Sequence, residues 1–387
     1  MDDIEKVIIA NSSDTHSDIL ERLSEDKDQF VRIGVAKNQN THPDVLAQMS
    51  LDNKNNSHIC TALTANPNLP VVALKRLSKS DSVYVRRGVA EHTMAPLMVL
   101  DMLSGDPDES VRIHVAGNQN TSIATLEKLG SEHEMHVLSA LAGNPNTPLD
   151  TLRKLSQSKY LAVQETVAGN PNTLLDILNI LSLAPRLEIR QAVAENPNTP
   201  VEMLARMSRD EDEWVRYSVA LNKNTPADIL GKLSNDEHVN ILENVAENPN
   251  TPQDALMRLG EHVSWIIRYG VAKNPNTPIE LLERLSVDDD KWVRVSVAGN
   301  QNTPEYTLAK LGMSDEKDIL LSVAWNPNTP IAVLENFVLN VDLGKVGQIA
   351  SENLRDRKQS LLDEVKTKNA EKREANGTVP TSNKPLP

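Results

Sequence analysis

The sequence predicts an all-α fold, an α-solenoid of thirteen two-helix repeats of about 26 residues each. Three observations lead there. The segment Val245-Ala246-Glu247-Asn248-Pro249-Asn250-Thr251-Pro252 recurs as Val271-Ala272-Lys273-Asn274-Pro275-Asn276-Thr277-Pro278, 26 residues on. Apolar residues in every copy follow helical spacing, and nothing alternates for long enough to make a strand. A single copy is too short to bury its own apolar face, so the copies must stack.

The alanine of each Val-Ala pair anchors a copy: Ala10, Ala36, Ala90, Ala116, Ala142, Ala168, Ala194, Ala220, Ala246, Ala272, Ala298 and Ala324, with Thr64 in the third place. Every step is 26 residues except that from Ala36 to Thr64, which is 28. The copies fill residues 1–337 as one repeat domain. Beyond them the sequence predicts a capping helix over 338–365 and a disordered tail over 366–387, polar and holding Gly377, Pro380, Pro385 and Pro387.

Leucine stands ten positions after each anchor, from Leu20 to Leu334, and Leu, Met or Phe thirteen after it, as at Leu23, Met49 and Phe337. Ile, Val or Leu precedes every anchor, and Val often lies five before it, as at Val31, Val111, Val215 and Val293. These offsets write two short helices per copy. Helix A covers, for example, residues 252–260, and helix B residues 264–273. Helix-terminus chemistry marks the junction: Thr251 reads as an N-cap, Pro252 as the first helical residue and Asp254 as the partner in a capping box. Thr147 with Asp150, Thr199 with Glu202, Thr225 with Asp228 and Thr277 with Glu280 repeat the device. The preceding Asn-Pro ends helix B, and Asn248 and Asn250 can cap loose backbone groups or form Asx turns.

Composition limits the functions open to such a chain. Over 387 residues, 40 Lys and Arg stand against 54 Asp and Glu, a net charge of −14. One cysteine, Cys60, rules out a disulfide framework and a thiolate-built metal centre. Aromatic residues are only 3% of the chain, too few for an aromatic-packed globule. No apolar run approaches the roughly 20 residues of a membrane span, and the acidic start Met1-Asp2-Asp3 does not read as a signal peptide. The expectation is a soluble, cytoplasmic protein.

The pattern Val-Ala-x-Asn-Pro-Asn-Thr-Pro-x-x-x-Leu-x-x-Leu-Ser resembles the leucine-rich repeat variant family of bacteria. That resemblance implies a right-handed superhelix, allows one helix per repeat to be 3₁₀, and implies a scaffold with no defined reaction. A family member with an N-terminal cysteine cluster holds iron–sulfur there; with Cys60 alone, that cofactor is not carried over. Asp106-x5-Arg112, Asp210-x5-Arg216 and Asp288-x5-Arg294 also resemble the Asp/Arg ladder of HEAT repeats.

Four sets of residues are candidate sites. A basic column on helix A (Arg22, Arg76, Lys128, Lys154, Arg206, Lys232, Arg258, Arg284, Lys310) could follow a phosphate backbone, but acids four residues earlier favour a self-neutralised face. Acidic runs at residues 25–28, 106–109, 210–213 and 288–290 could attract a basic partner or simply complement the start of helix B. Arg32, Arg86, Arg112, Arg190, Arg216, Arg268 and Arg294, four before the anchor, read as a ladder between repeats; Cys60, Leu138, Leu242 and Leu320 replace arginine there. His133 and His136 have no third ligand nearby for zinc.

The column three before the anchor is the predicted partner-binding site: Ile33, Ile113, Tyr217, Tyr269, Val295 and Leu321. Trp214, Trp265 and Trp292 on the same helices read as structural. No catalytic, cofactor-binding or metal residue is predicted, and no cofactor. The first reading is therefore a non-enzymatic scaffold that binds a protein with a basic surface through helix B, as a monomer or weak oligomer. The acidic balance argues against the alternative, a nucleic-acid-binding or HEAT-like DNA-repair protein.

Overall fold

The computed structural model of the chain describes residues 2–52 and 56–377. Among these residues are 27 α-helices, a 3₁₀ helix over Val341–Leu343 and no strand. They fall into two units, Met1–Met203 and Leu204–Pro387, where the sequence suggested one repeat domain. Both units are α-solenoid, and within each unit helix B of one copy packs on helix B of the next.

Helix A is short, as in the seven residues Gln253–Leu259, and helix B longer, as in the nine residues Trp265–Lys273. Both are α-helices, so the 3₁₀ form allowed by the family resemblance is not adopted. The periodic positions make the core. Every leucine ten after an anchor is fully buried, and so are the Val-Ala pairs from Val85 and Val89-Ala90 onward, Leu141-Ala142 included. Adjacent helices B approach closely: a Cβ on Gly88 would lie 2.1 Å from Thr64 Oγ1, so glycine accommodates the one threonine among the anchors.

The corner departs from the expected capping box. Pro252, not Thr251, holds the N-cap position, and no side chain caps that helix. Thr251 Oγ1 instead donates to the carbonyl of Val245, 2.5 Å away, closing the end of the preceding helix B. Thr277 repeats this with Val271, and Thr147 with Leu141. The hydroxyl turns back because the buried helix B carbonyl has no water to bond, whereas the start of helix A is already tightened by the Ala255 N–H to the Pro252 carbonyl.

The asparagines link repeats. Asn274, buried, donates through Nδ2 to the carbonyls of Ala246 and Asn248, both at 2.8 Å, and its Oδ1 accepts from the Asn276 N–H at 2.9 Å. Asn144, Asn170, Asn248, Asn300 and Asn326 each make the same pair of bonds to the copy before. The second asparagine adds a rung, Asn276 to the Pro249 carbonyl at 2.6 Å.

The arginine ladder also runs between repeats, with a different partner from the one the Asp-x5-Arg spacing suggested. Arg268 grips Asp288 of the next copy at 2.6 and 2.8 Å, and its Nη1 donates to the His262 and Val263 carbonyls of its own turn. Arg86 with Asp106 and Arg216 with Asp236 repeat the pair. The position twenty on is acidic after Arg86, Arg216 and Arg268 (Asp106, Asp236, Asp288) and Ser or His after three of the replacements: Cys60 faces Ser80, Leu138 faces Ser158, Leu242 faces His262. Arg294 departs, with Ser314 at that place and its ion pair on Glu316. Each of these residues, charged or neutral, accepts a turn N–H two residues on, as Asp288 does from Asp290 and His262 from Ser264. An unpaired buried carboxylate is costly, which accounts for the joint replacement.

Burial pushes Asp106, Asp236 and Asp288 up, but guanidinium and turn N–H groups outweigh it and hold all three below the ordinary carboxylate value of 3.8. A carboxylate depressed in the fold stabilises it fully above its unfolded value and loses that contribution as pH falls through the folded value. The thermal midpoint, followed by circular dichroism, should therefore fall steadily below about pH 4. A midpoint that stays flat from pH 7 to about pH 2 would contradict the ladder's role.

After the last repeat, Gly344 turns the chain at φ 49° into a helix over Lys345–Gly377. Val346, Ile349 and Ala350 are buried, and Asn353 donates to the Ala324 and Asn326 carbonyls at 2.9 and 3.2 Å, taking the place of the next asparagine rung. This helix begins later than residue 338 and continues through 366–377, where the sequence suggested disorder. Residues 378–387 of that tail lie outside the described residues.

Candidate protein-interaction face

Asp28, Asp108, Asp212 and Asp290 start their helices B by accepting a backbone N–H, as Asp212 does from Trp214 and Asp290 from Trp292. The acidic runs are thus largely spent on caps and on the arginine ladder. The basic column of helix A is spent too, although less often on its own helix than the spacing suggested. Asp254 and Asp228 do pair with Arg258 and Lys232. Elsewhere the charge reaches back to the end of the preceding helix A: Lys154 to the Gly130 carbonyl at 2.7 Å, Lys128 to Ser104 Oγ at 2.9 Å, Arg258 to Ser234 Oγ at 2.6 Å. There the cation meets the negative end of a helix.

The column three before the anchor is half-buried: Ile33 and Ile113 in the first unit, Tyr217, Tyr269, Val295 and Leu321 in the second. Beside it lie more exposed rings. Trp214, Trp265, Trp292 and Trp325 expose 44%, 42%, 47% and 64% of their surface. They are part-exposed rather than buried. All four are in the second unit and on helix B. Counted from the anchor, Trp265 stands at −7, Trp214 and Trp292 at −6, and Trp325 at +1. Steps of three or four from −3 reach all of these places, so the rings flank the half-buried column on one helical face. Trp214 meets Tyr217 edge to face at 5.5 Å, and Trp265 meets Tyr269 at 6.4 Å.

Lys291 Nζ sits 4.6 Å from the centre of the Trp292 ring while bonded to Asp318 at 2.7 Å. Lys273 lies over Tyr269 and reaches Glu247. A small cavity of about 130 Å³ opens between Trp214, Tyr217 and the next helix B, lined also by Glu213, His238 and Ile241. Among the described residues, no group of three or more His, Cys, Asp or Glu side chains is placed to hold a metal ion. No described helix is long and apolar enough to cross a membrane.

These features define a repeat protein with a helix-lined surface. The leucine-rich repeat variant model matches residues 187–212, one full period. No curated protein matches the chain. Among solved structures, a leucine-rich repeat variant with a novel repetitive structural motif is similar at 24% identity, over 56% of this chain and 83% of that one, with a TM-score of 0.40. Yeast importin-β is similar at 11% identity over 88% of this chain and 57% of its own, with a TM-score of 0.37. Another importin-β is similar at 15% identity over 92% and 51%, with a TM-score of 0.28. The chain spans about half the length of these importin chains, and no function is carried over from such distant likenesses.

Proposed function

We propose that the chain is a non-enzymatic scaffold that binds another protein through the helix B face of its second unit. The exposure of all four tryptophans on that face carries the reading. A water-facing row of rings gains nothing for a lone protein, and tryptophan is among the commonest anchors of protein interfaces. Tyr217, Tyr269, Val295 and Leu321 form the half-buried floor between the anchors; Ile33 and Ile113 hold the equivalent places in the first unit. The partner brings basic side chains to the face, because a net charge of −14 attracts cations and repels nucleic acid.

The test is affinity purification with identification of co-eluting proteins, followed by titration of the recovered partner. Trp214→Ala with Trp265→Ala should weaken binding by more than about 2 kcal/mol, with the thermal midpoint almost unchanged. Lys232→Ala with Lys310→Ala, on the outer side of helix A, should leave binding intact. If the lysine pair abolishes binding and the tryptophan pair does not, the interaction lies on the other face and an anionic ligand takes precedence.

A further inference from the structure

A second apolar row lies in the first unit, on helix A. The first residue of that helix in six consecutive copies is Val71, Leu97, Ile123, Leu149, Leu175 and Val201. All six are exposed, with 58%, 62% and 59% of the surface open at Leu97, Ile123 and Leu175. Consecutive members are neighbours in space: Leu97 and Ile123 wall one open groove of about 560 Å³, and Arg153 on one helix A pairs with Asp176 on the next. The equivalent places in the two following copies are Ala227 and Gln253, which end the continuous row; exposed Ile279 and Ile331 occupy the column singly further on.

We propose that this row is a dimer interface, and that its occupant is the same row of a second copy running antiparallel. Three observations favour a second copy over a foreign partner. First, the row is its own complement. Its centre falls between Ile123 and Leu149, so antiparallel pairing sets Val71 against Val201, Leu97 against Leu175, and Ile123 against Leu149 of the second copy. The extra exposed apolar residues follow the same symmetry, Met98 and Met102 beside Leu97, Ile180 and Leu183 beside Leu175.

Second, the charges fit. The second residue of helix A is Val72, Met98 and Ala124 in the first three copies but Asp150, Asp176 and Glu202 in the last three. Parallel pairing would oppose like charges. Antiparallel pairing lays the acidic half on the uncharged half and brings exposed Glu202 to exposed Lys75 of the second copy. Third, the area suffices. The exposed parts of these side chains amount to on the order of 1,000 Å² per copy, more than a monomer usually leaves in one patch and enough for a stable pair.

Sedimentation equilibrium of the full chain tests this. The unaltered protein should be a dimer in the micromolar range. Leu97→Asp should weaken association at least about 100-fold while helix content stays the same. Lys75→Glu should weaken it about tenfold, and Lys75→Glu with Glu202→Lys should restore it. A monomer at all concentrations to about 100 µM overturns the proposal. So does a dimer indifferent to Leu97→Asp, or a charge swap that fails to restore association.

Discussion

Replacing Asn274 by leucine should cost about 4 kcal/mol of local stability, an unusually large effect for one side chain in a corner. The amide is buried and fully used. Its two N–H groups serve the Ala246 and Asn248 carbonyls, and its oxygen serves the Asn276 N–H. Leucine has the same branching but is larger and offers no hydrogen bond: the Ala246 carbonyl and the Asn276 N–H lose this partner, and the Asn248 carbonyl keeps only the Thr251 N–H. Each costs about 1–3 kcal/mol when stripped of its bond away from water. Hydrogen exchange should rise in the helices Trp265–Lys273 and Val239–Glu247, which the rung joins, and much less in distant copies.

The chain itself supplies a graded control. His92 occupies this position in one copy, with Nε2 on the Asn66 carbonyl at 3.0 Å and Nδ1 accepting from the Met94 N–H. It keeps one donor and the acceptor. Asn274→His should therefore cost less than half as much as leucine. Equal losses for the two variants, or exchange raised evenly along the unit, would refute the rung as the local link.

The repeat length, both helices and the core leucines were legible in the sequence because burial imposes a helical period that survives without any knowledge of neighbours. Side chains whose partners lie one repeat away were harder to read. Thr251 carries the spacing of a capping box, and nothing local shows that its hydroxyl turns back to Val245. Arg112 stands six after Asp106, yet the carboxylate belongs to Arg86, because stacking brings a residue twenty positions on into reach. The tryptophans were detectable: Trp265 is four residues before Tyr269 and Trp214 three before Tyr217, so each ring shares a face with the column already singled out. The apolar row of helix A was written just as openly, one residue after each Thr-Pro or its equivalent, but a single apolar residue per copy carries no periodic signal within the copy. It becomes visible only when exposure is read column by column.

The joint replacement of arginine and its carboxylate leads to a second large effect, one that should vanish when both partners change. Arg268→Leu alone should cost about 3–5 kcal/mol. It strands Asp288, whose side chain is 7% exposed, with only the Asp290 N–H for company, and it leaves the His262 and Val263 carbonyls undonated. Asp288→Ser alone strands the guanidinium instead, with its two carbonyls as the remaining partners. The double variant recreates the Leu138 and Ser158 pair already present in the chain, where Ser158 Oγ still accepts the Tyr160 N–H at 3.2 Å. A neutral pair needs no desolvated charge, so the double variant should cost only about 1 kcal/mol, and the coupling between the two sites should exceed about 2 kcal/mol. Exchange rates of amides in Trp265–Lys273 and Lys291–Gly299 report that cycle without requiring the whole chain to unfold in one step. Additive losses would mean that the ion pair contributes nothing as a pair, and that Ser158 and Leu138 share their repeat interface by descent rather than by electrostatic necessity.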